Sequence, residues 1–188
     1  TPAADPANEV AEIIVTGTRR NATVQDAPIN ISAVGEAQIE ALGLSDLAEA
    51  TRTVPGVFIV DQGARAANRI IVRGLNADPI GASEGLGNDG GGTVATYLGE
   101  IPLYIDLKLN DIERVEVLLG PQGTLYGAGT LGGAIRYIPN RPQFDAPELI
   151  VRGDAYQYSQ ADDLSTDVGL TFNLPVSDRF AVRGSIDR

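Results

Sequence analysis

The sequence predicts a small α+β domain, a mixed sheet with short helices, followed by antiparallel strands of the kind that cross a bilayer. Three observations predict it. Glycine and proline number 22 and 11 in 188 residues, against about 7% glycine in an average protein, which favours a β-rich, loop-rich chain over a helical one. Four short apolar runs, VFIV, RIIV, VEVLL and AIRYI, are each flanked on at least one side by Gly, Pro, Asn or Asp, as strands are. Finally, Leu164, Thr166, Val168, Leu170, Phe172 and Leu174 alternate with Ser165, Asp167, Gly169, Thr171 and Asn173 in a strict period of two.

Residues 1–27 are rich in Ala, Pro, Asn and Asp around one apolar run, EIIVTGTRR, with nothing nearby that pairs with it by pattern. They read as a flexible tail carrying an isolated sticky segment. The opening TPAADPANE has no Met, no basic stretch and no apolar stretch, so any signal peptide is expected to have been removed.

Residues 28–142 read as one compact domain. Gly35 or Ser32 caps a short helix over EAQIEAL, and Ser45 caps a second over DLAEATRTV that Pro55 and Gly56 stop. Strands are expected at Val57–Val60 and Arg69–Gly74, and TVATYLGEIPL reads as a hairpin turning at Gly99-Glu100. A short helical turn at Asn110 leads into a strand over Val115–Leu119, and GAIRYIP is one strand more. Between strands lies LNADPIGASEGLGNDGGGT, and so long a structureless loop is functional or disordered.

Residues 143–148 read as a connector and 149–188 as three strands. LIVRGDAYQY puts Tyr156 and Tyr158 where an interfacial aromatic girdle sits. PVSD is a tight turn, after which Phe180, Val182, Gly184 and Ile186 alternate with Ala181, Arg183, Ser185 and Asp187. Periodicity leaves two readings open, bilayer-crossing strands or an amphipathic sheet of a soluble sandwich. Since a barrel closes with at least about eight strands, the first reading makes this an incomplete barrel.

Composition excludes several classes. A formal charge of −11 argues against nucleic acid as partner. Without Cys or His there is no ligand set for zinc, haem or thiol chemistry, and no metal or cofactor is expected. No apolar run reaches the roughly 18 residues of a membrane helix.

Gly127, Gly129 and Gly132 satisfy G-x-G-x-x-G, the spacing of a dinucleotide cradle, but that site needs a helix immediately afterwards. Here the β-prone AIRYI follows, Pro139 and Pro142 stop any helix, and the acid expected about 20 residues on would be Asp145, in the Pro-rich connector. Nor does GPQGTLYG end in the Lys-Ser or Lys-Thr of a P-loop, so no nucleotide partner and no enzyme activity are expected.

IIVRGL, then IERVEVLLGPQGTLYGAGTLGGAIRYIPNRP, with EIIVTGTRR near the N-terminus, resembles the plug domain of TonB-dependent outer-membrane receptors. The likeness covers roughly residues 9–142, and its specific core is Gly120, Pro121, Leu125, Tyr126, Gly127, Gly132 and Gly133. It implies a plug seated in a barrel of about 22 strands, in the outer membrane of a Gram-negative bacterium, with residues 149–188 as the first barrel strands in contact with lipid.

The resemblance also implies roles. Glu12, Ile13, Ile14, Val15 and Thr16 match the TonB box, an extended β-prone segment able to add a strand to the TonB partner of the ExbB/ExbD energising complex; the alternative is a first strand of the plug itself. Arg73 matches one of two plug arginines that pair with barrel glutamates, whereas the second position is Leu119, a departure that halves the expected lock. Arg65, Asn68, Asp78, Glu84, Asn88 and Asp89 fall on apical loops facing an extracellular nutrient ligand. The implied activity is energised uptake of an iron-siderophore or another scarce nutrient such as a saccharide. A stand-alone periplasmic or secreted plug-like binding module remains the other reading.

Overall fold

The computed structural model describes residues 13–60, 68–76, 93–103, 105–127, 129–157 and 164–188. The chain starts with two short antiparallel strands, β1 (Ile14–Val15) and β2 (Ala22–Thr23). Strand β3 (Ile31–Gly35) runs directly into helix α1 (Glu36–Leu42), whose C-terminal Gly43 takes the left-handed φ of 61° that lets its N–H reach the Glu40 and Ile39 carbonyls.

Helix α2 (Leu47–Thr51) is capped by Asp46, whose carboxylate accepts the Glu49 N–H. Ser45, the expected cap, sits one residue too early and instead donates its amide and hydroxyl to the Glu49 carboxylate at 2.8 and 3.0 Å. The two together make a reciprocal box of the kind that starts helices.

Strands β4 (Val57–Val60), β5 (Arg69–Val72) and β6 (Leu75–Asn76) form a small antiparallel sheet. The expected hairpin is β7 (Val94–Leu98) and β8 (Ile101–Leu103), with Gly99 at φ 59° in its turn. At Asn110 there is a turn and no helix, with Asp111 at φ 61°, and β9 (Ile112–Leu119) begins three residues before the strand read from sequence. A four-residue helix α3 (Gly123–Tyr126) and strand β10 (Gly133–Pro139) follow. The outer strands are β11 (Glu148–Tyr156), β12 (Ser165–Ser177) and β13 (Phe180–Asp187).

The central sheet has the order β3-β9-β10-β7-β8 and is mixed: β7 and β10 run parallel, the other neighbours antiparallel. Strands β9 and β10 are buried on both faces, which is why VEVLL and AIRYI read as continuous runs and not alternations. One face packs Val115, Val117, Ile135 and Tyr137 against Ile39, Leu47, Ile59 and Val72 from the helices and the small sheet. The other packs Leu118 and Ala134 against Val15, Ile31 and Tyr97. Each such aliphatic side chain contributes about 1.5–3 kcal/mol by burial.

The N-terminal segment is therefore no isolated tail from residue 13 onward: Ile14 and Val15 pair with Thr23 and Ala22, and Val15 is buried in the core. A partner eight residues downstream, in the polar NAT, carries no apolar pattern to announce it. Likewise PVSD is not the turn. The strand β12 continues to Ser177 and turns at Asp178-Arg179, and Pro175 is tolerated because β11 pairs only as far as Asn173 and the register slips between Pro175 and Ser177.

In the outer sheet, Leu149, Val151, Val168, Leu174, Val182 and Ile186 point outward and are exposed, while Thr171, Asn173 and Arg183 face the domain beneath. A soluble sandwich buries its apolar face. Apolar-out and polar-in is the order of barrel strands.

Candidate functional site

The face of β9 that receives β1 carries Arg114, Glu116 and Leu118 at a spacing of two, so all three point the same way. Across the sheet, Ala33, Glu116, Arg136 and Tyr97 stand in one row of register partners. Glu116 is wholly buried, and such a carboxylate is tolerable only if paired and fully hydrogen-bonded. Here it is: the Arg114 Nε donates to Oε1 at 2.9 Å and the Arg136 Nη1 to Oε2 at 2.8 Å.

The remaining acceptor capacity is filled by the docked segment. The Thr16 amide donates to Glu116 Oε1 at 2.8 Å and its hydroxyl at 3.2 Å, and that hydroxyl in turn accepts from Arg136 at 3.0 Å. Glu113 and Glu100 close the outer sides of the two guanidinium groups, Arg136 reaching Glu100 at 2.6 Å.

Tyr126 of the LYG motif covers the segment. Its hydroxyl donates to the Gly17 carbonyl at 2.6 Å, its backbone carbonyl accepts from the Tyr97 hydroxyl at 2.8 Å, and the Arg19 and Arg136 guanidinium groups lie 5.9 and 5.7 Å from its ring. Burial pushes the Tyr126 phenol above its ordinary value; Arg136 pulls the other way, with Glu100 and Glu116 adding to the rise. At Gly17 a Cβ would stand 2.8 Å from Ile31 Cδ1, so the chain passes the sheet as closely as glycine permits.

The motif glycines are structural. A Cβ on Gly133 would lie 2.3 Å from the Leu118 carbonyl oxygen, and Gly127 adopts φ 79° where α3 ends. Gly120 and Gly132 tie the loop shut by an N–H to carbonyl bond of 2.9 Å. Strand β10 follows directly, so the helix of a dinucleotide cradle is absent among the described residues.

Of the other residues singled out from sequence, Arg73 is exposed in the turn between β5 and β6 at φ 49°, its amide donating to the Gly56 carbonyl at 2.7 Å. Asn68 donates to Asp106 at 2.7 Å. Glu12, Arg65, Asp78, Glu84, Asn88 and Asp89 lie outside the described residues. Sequence reading missed the charge cluster, although its signal was present: Glu116 and Arg136, opposite in sign, each interrupt an otherwise apolar run.

The chain matches the family model described as TonB-dependent Receptor Plug Domain over residues 23–134. It is 24% identical to the iron-regulated outer membrane virulence protein of Vibrio cholerae over 91% of this chain and 26% of the relative. With the vitamin B12 transporter BtuB of Photobacterium profundum it shares 28% identity over 67% of this chain and 20% of the relative. Its fold is like that of the ferripyoverdine receptor of the outer membrane of Pseudomonas aeruginosa, with a TM-score of 0.65 and 20% identity over 93% of this chain and 22% of that structure. The chain thus spans about a quarter of the length of the relatives it matches.

Proposed function

Because the chain belongs to the TonB-dependent receptor plug-domain family, we propose that it is the N-terminal part of an outer-membrane transporter in which the plug gates a barrel and couples nutrient uptake to TonB with ExbB/ExbD. The single observation that best supports coupling is the way Ile13 to Thr16 is held: a two-residue strand against β2, with its last residue on a polar cluster. So short a pairing is detachable, and its backbone donors and acceptors are then free to add a strand to a partner's sheet edge.

In this reading Glu12 to Thr16 is the TonB-binding segment, and Arg73 is a plug residue that pairs with the barrel. Arg65, Asn68, Asp78, Glu84, Asn88 and Asp89 border the nutrient. The iron-regulated and ferripyoverdine relatives favour an iron-siderophore as substrate class, and the B12 transporters keep other scarce nutrients open. The outward apolar face of β11 to β13 favours a lipid-embedded barrel over a stand-alone periplasmic module.

The test is uptake by the full-length receptor of a panel of labelled ferric siderophores, with cobalamin and oligosaccharides alongside, in a strain lacking its own copy. One class should accumulate, and Ile14→Pro, which removes a backbone donor, should abolish accumulation while leaving surface binding of the same compound intact. Undiminished uptake by Ile14→Pro would refute the TonB-box role.

A further inference from the structure

Asp111 is one of three non-glycine residues with positive φ among the described residues, at 61°, in the turn that feeds the central strand β9. Its carboxylate meets Arg183 of β13 in a forked pair: Nη2 to Oδ1 at 2.7 Å, and Nε to Oδ1 at 2.9 Å and to Oδ2 at 3.1 Å. Both side chains are buried, at 6% and 8% exposure. The fork is completed by Glu148 of β11, which accepts from Arg183 Nη1 at 2.8 Å, and by Asn140, whose Nδ2 donates to Asp111 Oδ1 at 3.2 Å.

The same short segment makes the neighbouring contacts. Lys108 pairs with Asp167 of β12 at 3.0 Å, and the Asn110 side-chain Oδ1 accepts from the Thr171 hydroxyl and from Arg152 Nη1, both at 3.3 Å. Gly169 lies so close to the Asn110 side chain that a Cβ there would be 3.1 Å from Asn110 Nδ2. Three polar positions within residues 108–111 thus engage three barrel-type strands.

We propose that Lys108, Asn110 and Asp111 form the tether that fastens the plug to the first barrel strands, with Asp111 and Arg183 its centre. The charge polarity is the reverse of a plug arginine on a barrel glutamate: the plug supplies the carboxylate and the strand the guanidinium. That reversal meets the departure at Leu119, where a second plug arginine was expected and an apolar core residue stands instead. A forked guanidinium–carboxylate pair fixes both distance and orientation, as a single ammonium contact does not. Asp111 stands at φ 61° immediately before β9, and Asn is the one replacement that keeps both the shape and the tolerance for that φ.

The experiment uses the full-length receptor in outer membranes and reads entry of vancomycin, too large for an intact outer membrane, as growth inhibition. Asp111→Asn and Arg183→Gln are each expected to lower the inhibitory concentration several-fold at unchanged amounts of folded, heat-modifiable receptor. Together they should do no more than either alone, because each already breaks the same pair. Wild-type resistance in both single variants, or fully additive effects in the double variant, overturns the tether. Should a single variant fail to assemble, hydrogen exchange of residues 108–112 in the assembled partner variant decides: faster exchange supports the tether and unchanged exchange overturns it.

Discussion

The backbone amide of Thr16 donates to the carboxylate of Glu116 at 2.8 Å, across 100 positions of sequence. That one bond joins the segment proposed to leave the plug to the most deeply buried charge among the described residues.

Removing the charge should therefore loosen the segment. Glu116→Ala strands Arg114 and Arg136 in the interior, at about 3–5 kcal/mol for a broken buried pair, while Thr16→Val removes one hydroxyl from the network at about 1 kcal/mol. Hydrogen exchange of residues 13–17 in the full receptor should accelerate in both, more in the first, with the interior of β9 unaffected in Thr16→Val.

Alkaline pH should act on the same place through Tyr126. Its neutral phenol donates to Gly17, and burial holds its folded pKa above the ordinary 10.0. A folded pKa above the unfolded one means that the stabilisation is complete below about pH 10 and is lost as pH climbs through the higher folded value. A nitroxide on an introduced Asn21→Cys should stay immobilised up to pH 10 and gain mobility above it. With Tyr126→Phe the contribution is missing at every pH, so the alkaline step should shrink.

Gly133→Ala should be among the most damaging small substitutions in the chain. Its Cβ would lie 2.3 Å from a backbone oxygen in the middle of the sheet, where nothing flexible can give way; overpacking of this kind costs about 1–3 kcal/mol or more. Gly153→Ala, with no neighbour within 4 Å and no positive φ, is the control. Receptor yield in the outer membrane should fall for the first and hold for the second.

On the outer sheet, Val168→Arg puts a charge on the outward apolar face, at about 2–4 kcal/mol near the bilayer midplane. Folding into lipid vesicles, followed by heat-modifiable mobility, should be impaired by Val168→Arg and barely changed by Val168→Leu.

Much of this fold was legible because burial writes itself into local pattern. The runs at Val57–Val60 and Gly133–Pro139, the Gly99 hairpin and the alternation through β12 each carry their period in adjacent residues. The glycines of GAGTLGG have the spacing of a nucleotide cradle, and the β-prone residues and prolines after them exclude it within the sequence itself. Capping by Asp46 in place of Ser45 was a displacement of one residue, within the reach of local reasoning but decided by which backbone amide the carboxylate could meet.

What the sequence determined by itself, then, was the kind of chain: a glycine-rich plug of mixed sheet and short helices, followed by strands whose apolar side alternates. The pairing of Ile14 with Thr23, the burial of Glu116 between two arginines and the meeting of Asp111 with Arg183 were decided by tertiary structure alone. The physical reason is that a charge's partner is selected by distance in space. Arg183 lies 72 residues from Asp111, and no periodicity in the intervening chain encodes which carboxylate it will find.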